Sequence, residues 1–423
     1  MFRTNALNRL NMILGNPNAG SPAYSFAINF DDNGGGTVNT VPWRGAVSPT
    51  FTRATTATTV LSTGLIGSVA SGATRSYYDP TSLAYLGYLA EGARTNLCLQ
   101  SEVLGTTWTA TSATIGTNAI ASPDGTTTAD LITQTGAGGR VTQDIVFAAG
   151  GTATFSVWVK KSLSVDVVTF ILRDDTGAVN YGSNYTFSTN TFSGTDANTT
   201  NKSQVFPNGW IRITSTNGAA ITAGNTVRVF VYGGNAGGTT DSVYAWGAQL
   251  EAGSFASSYI PTTVASVTRN ADVLTYPVTG WLNAAAGTLF AQFQLFGLFG
   301  DQVPVEIGDG TLNERYGIYR NAAAGTLRGY VVDGGVLVMD DTVAGVLATN
   351  TTYKAAIAVL LNNGIAARDG SLSAGDVTVT LPTVTTLSVG DTVSGSATQF
   401  GTISSIRYIP QRVANAQLQT MTS

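Results

Sequence analysis

The chain has 423 residues and a formal net charge of −4; 43% of its residues are hydrophobic and only 11% are charged. This hydrophobic fraction is large enough to form hydrophobic cores, and it excludes a disordered chain. The chain has no basic stripe, so we predict no nucleic-acid partner, and no apolar stretch of about 18 residues, so we predict no membrane insertion. It also has no histidine, and therefore lacks the commonest general base and the commonest metal ligand.

Residues 1–96 are predicted to form an extended N-terminal anchoring segment. Apolar residues at helical spacing predict a short helix over residues 5–14, ending before Gly15. Short β-like pieces follow, separated by loops such as residues 31–36 (DDNGGG). Because this segment has little apolar core of its own, we expect it to dock onto a larger assembly.

Residues 97–272 are predicted to form one antiparallel β-sandwich. Apolar and polar residues alternate in residues 155–160 (FSVWVK), 210–214 (WIRIT) and 227–232 (VRVFVY), as in half-buried strands. Turn signals separate these runs, including residues 123–125 (PDG) and 207–209 (PNG). Strands joined by turns, with no intervening helices, favour a sandwich.

Residues 273–423 are predicted to form a second β-rich domain. Its strand candidates include residues 288–293 (TLFAQF), 316–319 (YGIY) and 353–359 (YKAAIAV), and a short helix is predicted over residues 412–421. The fold class that follows is all-β, with tandem antiparallel β-sandwiches after the N-terminal segment.

The sequence shows no catalytic constellation, and we predict that the chain is not an enzyme. Paired carboxylates occur at residues 31–32, 174–175 and 340–341. Adjacent residues in a loop point in different directions, whereas a glycosidase needs two carboxyls facing each other across a cleft. Without histidine, neither a Ser-His-Asp nor a Cys-His arrangement can form.

Residues 91–102 (EGARTNLCLQSE) resemble a signature common in phage tail and virion proteins, where it introduces a jelly-roll module of the carbohydrate-binding type. Later segments fit the same module in order: residues 108–109, 123–130, 155–160, 209–213, 244–251 and 257–263. Residues 275–423 look like a concanavalin-like, laminin-G-type sandwich, on the shorter motifs at residues 287–290, 387–390 and 406–412. The resemblance implies a jelly roll over residues 97–272 and a concanavalin-like sandwich over residues 273–423.

The resemblance also suggests where ligands would bind. Aromatic rings stack on sugar rings, and the candidates for this role are Trp108, Tyr232, Tyr244 and Trp281; the competing interpretation is that they pack in cores. In such modules a structural calcium often lies where the chain ends approach each other. Glu102 and Glu251 flank the sandwich there and offer the hard oxygen ligands that calcium prefers, although solvated carboxylates near turns are the alternative.

The function implied is that of a structural virion protein of a bacteriophage, a tail fibre or similar appendage, which contacts host-surface glycan through lectin-like sandwiches. The alternative is a capsid decoration or tail component with only protein–protein contacts. We expect other virion proteins as partners and a homo-oligomer, most simply a trimer. The start of the chain lacks the apolar core of a signal peptide, which is in keeping with a virion assembled in the host cytoplasm and released by lysis.

Overall fold

A computed structural model describes residues 23–163 and 165–423 of the chain. The helix predicted over residues 5–14 lies outside the described residues. Within the described part, strands dominate, and the α-helix α1 (Asn415–Thr422) lies close to the predicted terminal helix. No helix in these two ranges is long and apolar enough to cross a bilayer.

The strands fall into three stretches of the chain. The first stretch holds β1 Phe26–Asn29, β2 Asp32–Gly34, β3 Thr37–Val38, β4 Thr50–Thr52, β5 Ala57–Val60, β6 Ile66–Val69, β7 Ser76–Tyr78, β8 Tyr85–Ala90 and β9 Arg94–Asn96. The second holds β10 Thr109–Thr111, β11 Ala113–Ile120, β12 Ala129–Gln134, β13 Arg140–Val146, β14 Ala153–Lys161, β15 Val167–Asp174, β16 Val179–Thr186, β17 Thr191–Ser193, β18 Thr199–Val205, β19 Trp210–Asn217, β20 Thr226–Tyr232 and β21 Ser242–Ala252. The third holds β22 Val267–Arg269, β23 Val273–Pro277, β24 Ala286–Leu295, β25 Gln302–Gly308, β26 Arg315–Arg320, β27 Thr326–Asp333, β28 Val336–Val346, β29 Thr352–Leu360, β30 Asn363–Arg368, β31 Ser371–Leu372, β32 Thr386–Val389 and β33 Gly401–Ile409.

The second stretch forms a sandwich of two six-stranded antiparallel sheets, in the orders β10-β13-β20-β15-β16-β17 and β11-β12-β21-β14-β19-β18. We call this sandwich the jelly roll. Alternate residues of β14, such as Phe155 and Val157, face the core between the sheets. The residues that alternate with these along β14, Ser156 and Trp158, are also buried, because β5, β6 and Tyr259 cover the outer face of the sheet around Trp158. The alternation in β14 therefore marks two different buried environments rather than a core and a solvent face.

The third stretch, together with strands from the first stretch, forms the second sandwich, which we call the C-terminal sandwich. One sheet has the order β31-β30-β29-β24-β33-β8-β7, with β1 also on β33, and the other has the order β28-β27-β26-β25-β32-β23-β4. Leu289 and Ile357 of the first sheet pack with Ile307 and Ile318 of the second in one core. The all-β class with tandem antiparallel sandwiches is confirmed.

The structure differs from the sequence prediction in what residues 26–90 do. These residues supply β1, β4, β7 and β8 to the C-terminal sandwich, and Phe26 pairs with Tyr408 near the other end of the chain. Phe26, Ile28 and Phe30 are buried in the same core. Because their apolar side chains complete that core, β1, β4, β7 and β8 are part of the C-terminal sandwich. β5 and β6 pack on the outer face of the other sandwich, so residues 26–90 are not an extended segment apart from the two sandwiches.

A buried charge network lies where the chain passes between the two sandwiches, beside the β9–β22 pair. Its members are Arg53, Arg75, Glu91, Arg269 and Asp272, all 2% exposed or less. Asp272 pairs with Arg53 at 2.8 Å and also with Arg75, and Glu91 pairs with Arg75 at 2.7 Å. Burial alone would raise the pKa of Glu91, but Arg269 and Arg75 bring it down to about 2. The Glu91 carboxyl therefore stays ionised, and the ion pairs of the network tie residues 53–91 to the chain just before β23.

Candidate functional site at the junction of the two sandwiches

A cavity of about 710 Å³ opens beside the buried charge network. The segment after β8 contributes Glu91 and Arg94, the loop after β21 contributes Phe255 and Ser257, and β22 contributes Arg269. The C-terminal sandwich supplies the other wall. We call this cavity the junction groove. Its volume lies within the roughly 300–1,000 Å³ of small-molecule sites.

Neighbouring strands of the C-terminal sandwich place an arginine and two tyrosines in the groove. In β26, Tyr316 and Ile318 face the core, so period-two alternation turns Arg315 and Tyr319 to the opposite face. The Arg315 guanidinium lies over the ring of Tyr330 of β27, with its carbon 5.2 Å from the ring centroid. The rings of Tyr319 and Tyr330 meet edge to face at 5.0 Å. This packing holds the half-buried Tyr319 ring in a fixed orientation.

Glu306 of β25 lies behind these residues and is fully buried. Its carboxylate accepts hydrogen bonds from the backbone N–H of Val393 at 2.7 Å, from Arg315 Nη1 at 3.1 Å and from the Tyr330 hydroxyl. Burial raises the pKa of Glu306 to about 7, against the lowering effects of the Val393 N–H and Arg315. The carboxyl therefore titrates near neutral pH, and it fixes the positions of Arg315 and Tyr330.

A loop of hydroxyl side chains between β32 and β33 forms another wall. Thr392 Oγ1 lies 3.0 Å from the Ser396 hydroxyl and 3.1 Å from the Ser394 hydroxyl. Asp391 accepts from the Thr398 hydroxyl at 2.6 Å and from the Ala397 N–H at 3.0 Å, which holds the loop closed. Thr392, Ser396 and Thr398 line the groove, so the wall offers several hydroxyl donors and acceptors.

The far end of the groove is aromatic and joins the two sandwiches. Phe255, from the loop after β21, stacks on Phe299 at 4.3 Å and on Phe400 at 4.4 Å. The Arg94 guanidinium lies 4.3 Å from the Phe255 ring. At the rim, Leu312 is 49% exposed. The groove thus combines aromatic, cationic and hydroxyl surfaces. None of the residues that form them is among the candidates predicted from the sequence. The alternation in residues 315–319 is the signal that places Arg315 and Tyr319 on one face.

The four aromatic residues proposed from the sequence are not brought together. Trp108 is 6% exposed in the jelly-roll core and donates from Nε1 to the Leu99 carbonyl at 3.1 Å. Trp281 is 3% exposed in the other core and donates to the Pro277 carbonyl at 2.8 Å. Because both rings are packed on all sides, neither offers a face to a sugar, and the structure corrects that expectation for them.

The two proposed tyrosines lie on different sheets of the jelly roll. Tyr232, on β20, is buried next to Phe230, and the Arg140 guanidinium carbon lies 5.7 Å from its ring. Tyr244, on β21, is half-buried against the cluster around Trp158. A shared platform is absent among these described residues, and a sugar-stacking role for either tyrosine stays a prediction.

The two glutamates proposed as calcium ligands have protein partners instead. Glu102 is half-buried and accepts from the Tyr259 hydroxyl at 3.1 Å, and burial raises its pKa. Glu251 is fully buried and accepts from Gln249 Nε2 at 2.7 Å and from the Ser257 N–H at 2.9 Å. Within residues 23–163 and 165–423, no three His, Cys, Asp or Glu residues gather in a way that could hold a metal ion. The calcium prediction therefore finds no assembled site in this part of the chain.

No family model matches the sequence, and no curated protein matches it. Among solved structures, the chain is similar to the CBM40 module of the Ruminococcus gnavus IT-sialidase bound to α2,3-sialyllactose, with a TM-score of 0.29 and 14% identity over 33% of this chain and 84% of that chain. It is also similar to a Trypanosoma rangeli sialidase, with a TM-score of 0.28 and 16% identity over 35% of this chain and 25% of that one. The NanB sialidase of Streptococcus pneumoniae gives a TM-score of 0.30 and 11% identity over 34% and 25%.

These comparisons correct the prediction that the chain is not an enzyme, because sialidases stand among the structures to which it is similar. The prediction depended on the absence of histidine and on the lack of two carboxyls placed to face each other across a cleft. The absence of histidine excludes a Ser-His-Asp triad within the chain, but adjacency in sequence does not decide which carboxylates and tyrosines the fold brings together as nucleophiles and acids. The chain spans about 25% of the length of these sialidases, and the similarity brings neither their activity nor their ligands to this chain.

Proposed function

We propose that this chain is a structural protein of a bacteriophage virion, a tail fibre or similar appendage, that contacts host-surface glycan at the junction groove. The ordered sequence resemblance over residues 91–263 supports the virion assignment. The glycan assignment depends on one observation, the junction groove, in which Tyr319, Arg315 and the hydroxyl loop of residues 391–398 face one space.

The chemistry of the groove matches the chemistry of a sugar. A pyranose ring has apolar faces that pack on aromatic rings and a rim of hydroxyls that need hydrogen-bond partners. Tyr319 supplies a ring held by Tyr330, Arg315 supplies planar N–H donors, and Thr392 and Ser396 supply hydroxyls. The volume of about 710 Å³ has room for a short oligosaccharide.

The test is binding of the purified full chain to an array of bacterial surface polysaccharides. We expect Tyr319→Ala to weaken binding about tenfold or more, because the variant removes the ring against which the sugar packs. Trp43→Ala is the matched control, since Trp43 is 37% exposed and lies outside the groove lining. Equal binding by Tyr319→Ala and Trp43→Ala would rule out the groove as the glycan site.

A second candidate function, a decoration or tail component with only protein contacts, is favoured by the surface of β28. This strand is at the edge of its sheet, and Val336 and Val346 are 62% and 69% exposed. An exposed apolar edge strand is a ready surface for pairing with another chain. If it mediates the proposed homo-oligomer, Val336→Lys will lower the molar mass measured by light scattering, while Tyr319→Ala will not.

A further inference from the structure

We infer that the outer face of the jelly roll carries a second saccharide site, for a single neutral sugar ring, between β18–β19 and the C-terminal sandwich. The inference rests on the proposed function only for the ligand class. A cavity of about 200 Å³ lies there, below the size of drug-sized pockets, so it suits one small ring rather than a chain. We call it the sheet cleft.

One wall of the sheet cleft is a ladder of polar side chains. In the antiparallel register of β18 and β19, the directly opposed pairs are Thr200 with Thr216, Lys202 with Thr214, and Gln204 with Arg212. Ile211 and Ile213 of β19 face the jelly-roll core, so the alternate residues of both strands face outward. All members of the three pairs line the cleft, which places hydroxyl, amide and ammonium groups side by side on one surface.

The facing wall is aromatic. Tyr77 of β7 and Phe296, just after β24, both line the cleft, and their ring centroids lie 4.9 Å apart. Burial raises the pKa of Tyr77 to about 12, while a hydrogen bond with Gln204 acts in the opposite direction. The phenol therefore stays neutral at physiological pH and links the aromatic wall to the polar ladder.

The charges around the cleft favour a neutral ligand. Lys202 and Arg212 are balanced by Asp79 and Glu91 among the lining residues. Arg212 is already engaged, since it donates to the Ser257 carbonyl at 2.7 Å and to the Ser156 hydroxyl at 3.0 Å and lies over the Trp158 ring. A polar ladder opposite an aromatic wall, with no excess of charge, matches the hydroxyl edge and the apolar face of an uncharged pyranose.

The test uses saturation-transfer NMR on the full chain with glucose, galactose and N-acetylglucosamine as probes. A ligand of this size is expected to bind with a Kd on the order of millimolar. The double variant Lys202→Ala with Gln204→Ala removes two ladder groups and should weaken binding about tenfold or more. Thr199→Ala, on the same strand but with its side chain on the opposite face, is the matched control and should bind like the wild type.

Tyr319→Ala separates this inference from the proposed function. If the double variant loses monosaccharide binding and Tyr319→Ala retains it, the sheet cleft is supported. This holds for either result of the polysaccharide-array experiment on the junction groove. Loss only in Tyr319→Ala overturns the sheet cleft and leaves the junction groove as the sugar site. No binding of any probe to the wild-type chain overturns the sheet cleft, while polysaccharide binding on the array still decides the junction groove independently.

Discussion

Asp272 is the residue whose substitution tests how the junction of the two sandwiches is held together. Its carboxylate is fully buried and accepts hydrogen bonds from three groups: Arg53 Nη1 at 2.8 Å, the guanidinium of Arg75, and the backbone N–H of Glu91 at 3.2 Å. Arg269 Nη1 lies 3.8 Å from it. Asp272→Asn keeps the shape of the side chain and removes its charge. Three arginines of the network then share Glu91 as their remaining carboxylate within it.

The expected loss of stability in Asp272→Asn follows from the charged partners that the side chain no longer neutralises. Each charge-assisted hydrogen bond contributes about 1.5–3 kcal/mol, and guanidinium groups donate two of the hydrogen bonds that Asp272 accepts. Breaking a buried ion pair by removing one partner costs about 3–5 kcal/mol, because the other charge stays buried. We therefore expect the free energy of unfolding to fall by about 3–5 kcal/mol, a large share of the roughly 5–15 kcal/mol typical of a domain.

Urea unfolding followed by tryptophan fluorescence measures the loss. With a slope of about 3 kcal/mol/M, the unfolding midpoint of Asp272→Asn should fall by about 1 M or more. The control is Asp340→Asn, which breaks the more exposed pair with Arg328 and should cost no more than about 1 kcal/mol. If the two variants unfold at the same urea concentration, the buried network does not hold the junction.

Two further predictions concern the junction groove. Because the pKa of Glu306 is raised from 4.5 to about 7, the folded chain keeps a proton that the unfolded chain releases, and this group lowers stability as pH rises through that window. Urea unfolding at pH 5 and at pH 8 measures this effect: the free energy of unfolding should fall less for Glu306→Gln than for the wild type, by up to about 3 kcal/mol. Equal falls in the two proteins would contradict the pKa shift. Phe255→Ala removes the ring stacked on Phe299 and Phe400 and should cost about 3–5 kcal/mol; a cost no larger than that of Leu298→Ala, at a side chain 38% exposed, would contradict a role in joining the sandwiches.

The sequence predicted the strands well where the local pattern is strong. Alternation located β14, β19 and β20, and the turns at residues 123–125 and 207–209 lie between strands. It did not predict that four strands within residues 26–90, β1, β4, β7 and β8, complete the C-terminal sandwich. The pairing of Phe26 with Tyr408 joins residues at opposite ends of the chain, and no local pattern encodes such a partner.

The candidate site was harder to predict, because burial and not residue type decides which aromatic residues are available. Trp108 and Trp281 are the residue type that binds sugars, yet both fill cores. Tyr319 belongs to the strand predicted over residues 316–319, and the structure extends that strand by one residue at each end, to Arg315–Arg320. Alternation then places Arg315 and Tyr319 on one face. Their neighbours Tyr330 and Glu306 come from β27 and β25, and only the strand order brings these residues beside them.

Competition for phage adsorption tests the central claim most directly. Host cells are incubated with purified wild-type chain or with Tyr319→Ala before phage is added, and free phage is counted. The account predicts that wild-type chain lowers adsorption in proportion to its concentration, and that folded Tyr319→Ala competes about tenfold less well. Unchanged adsorption with folded wild-type chain would contradict a role in contacting host glycan.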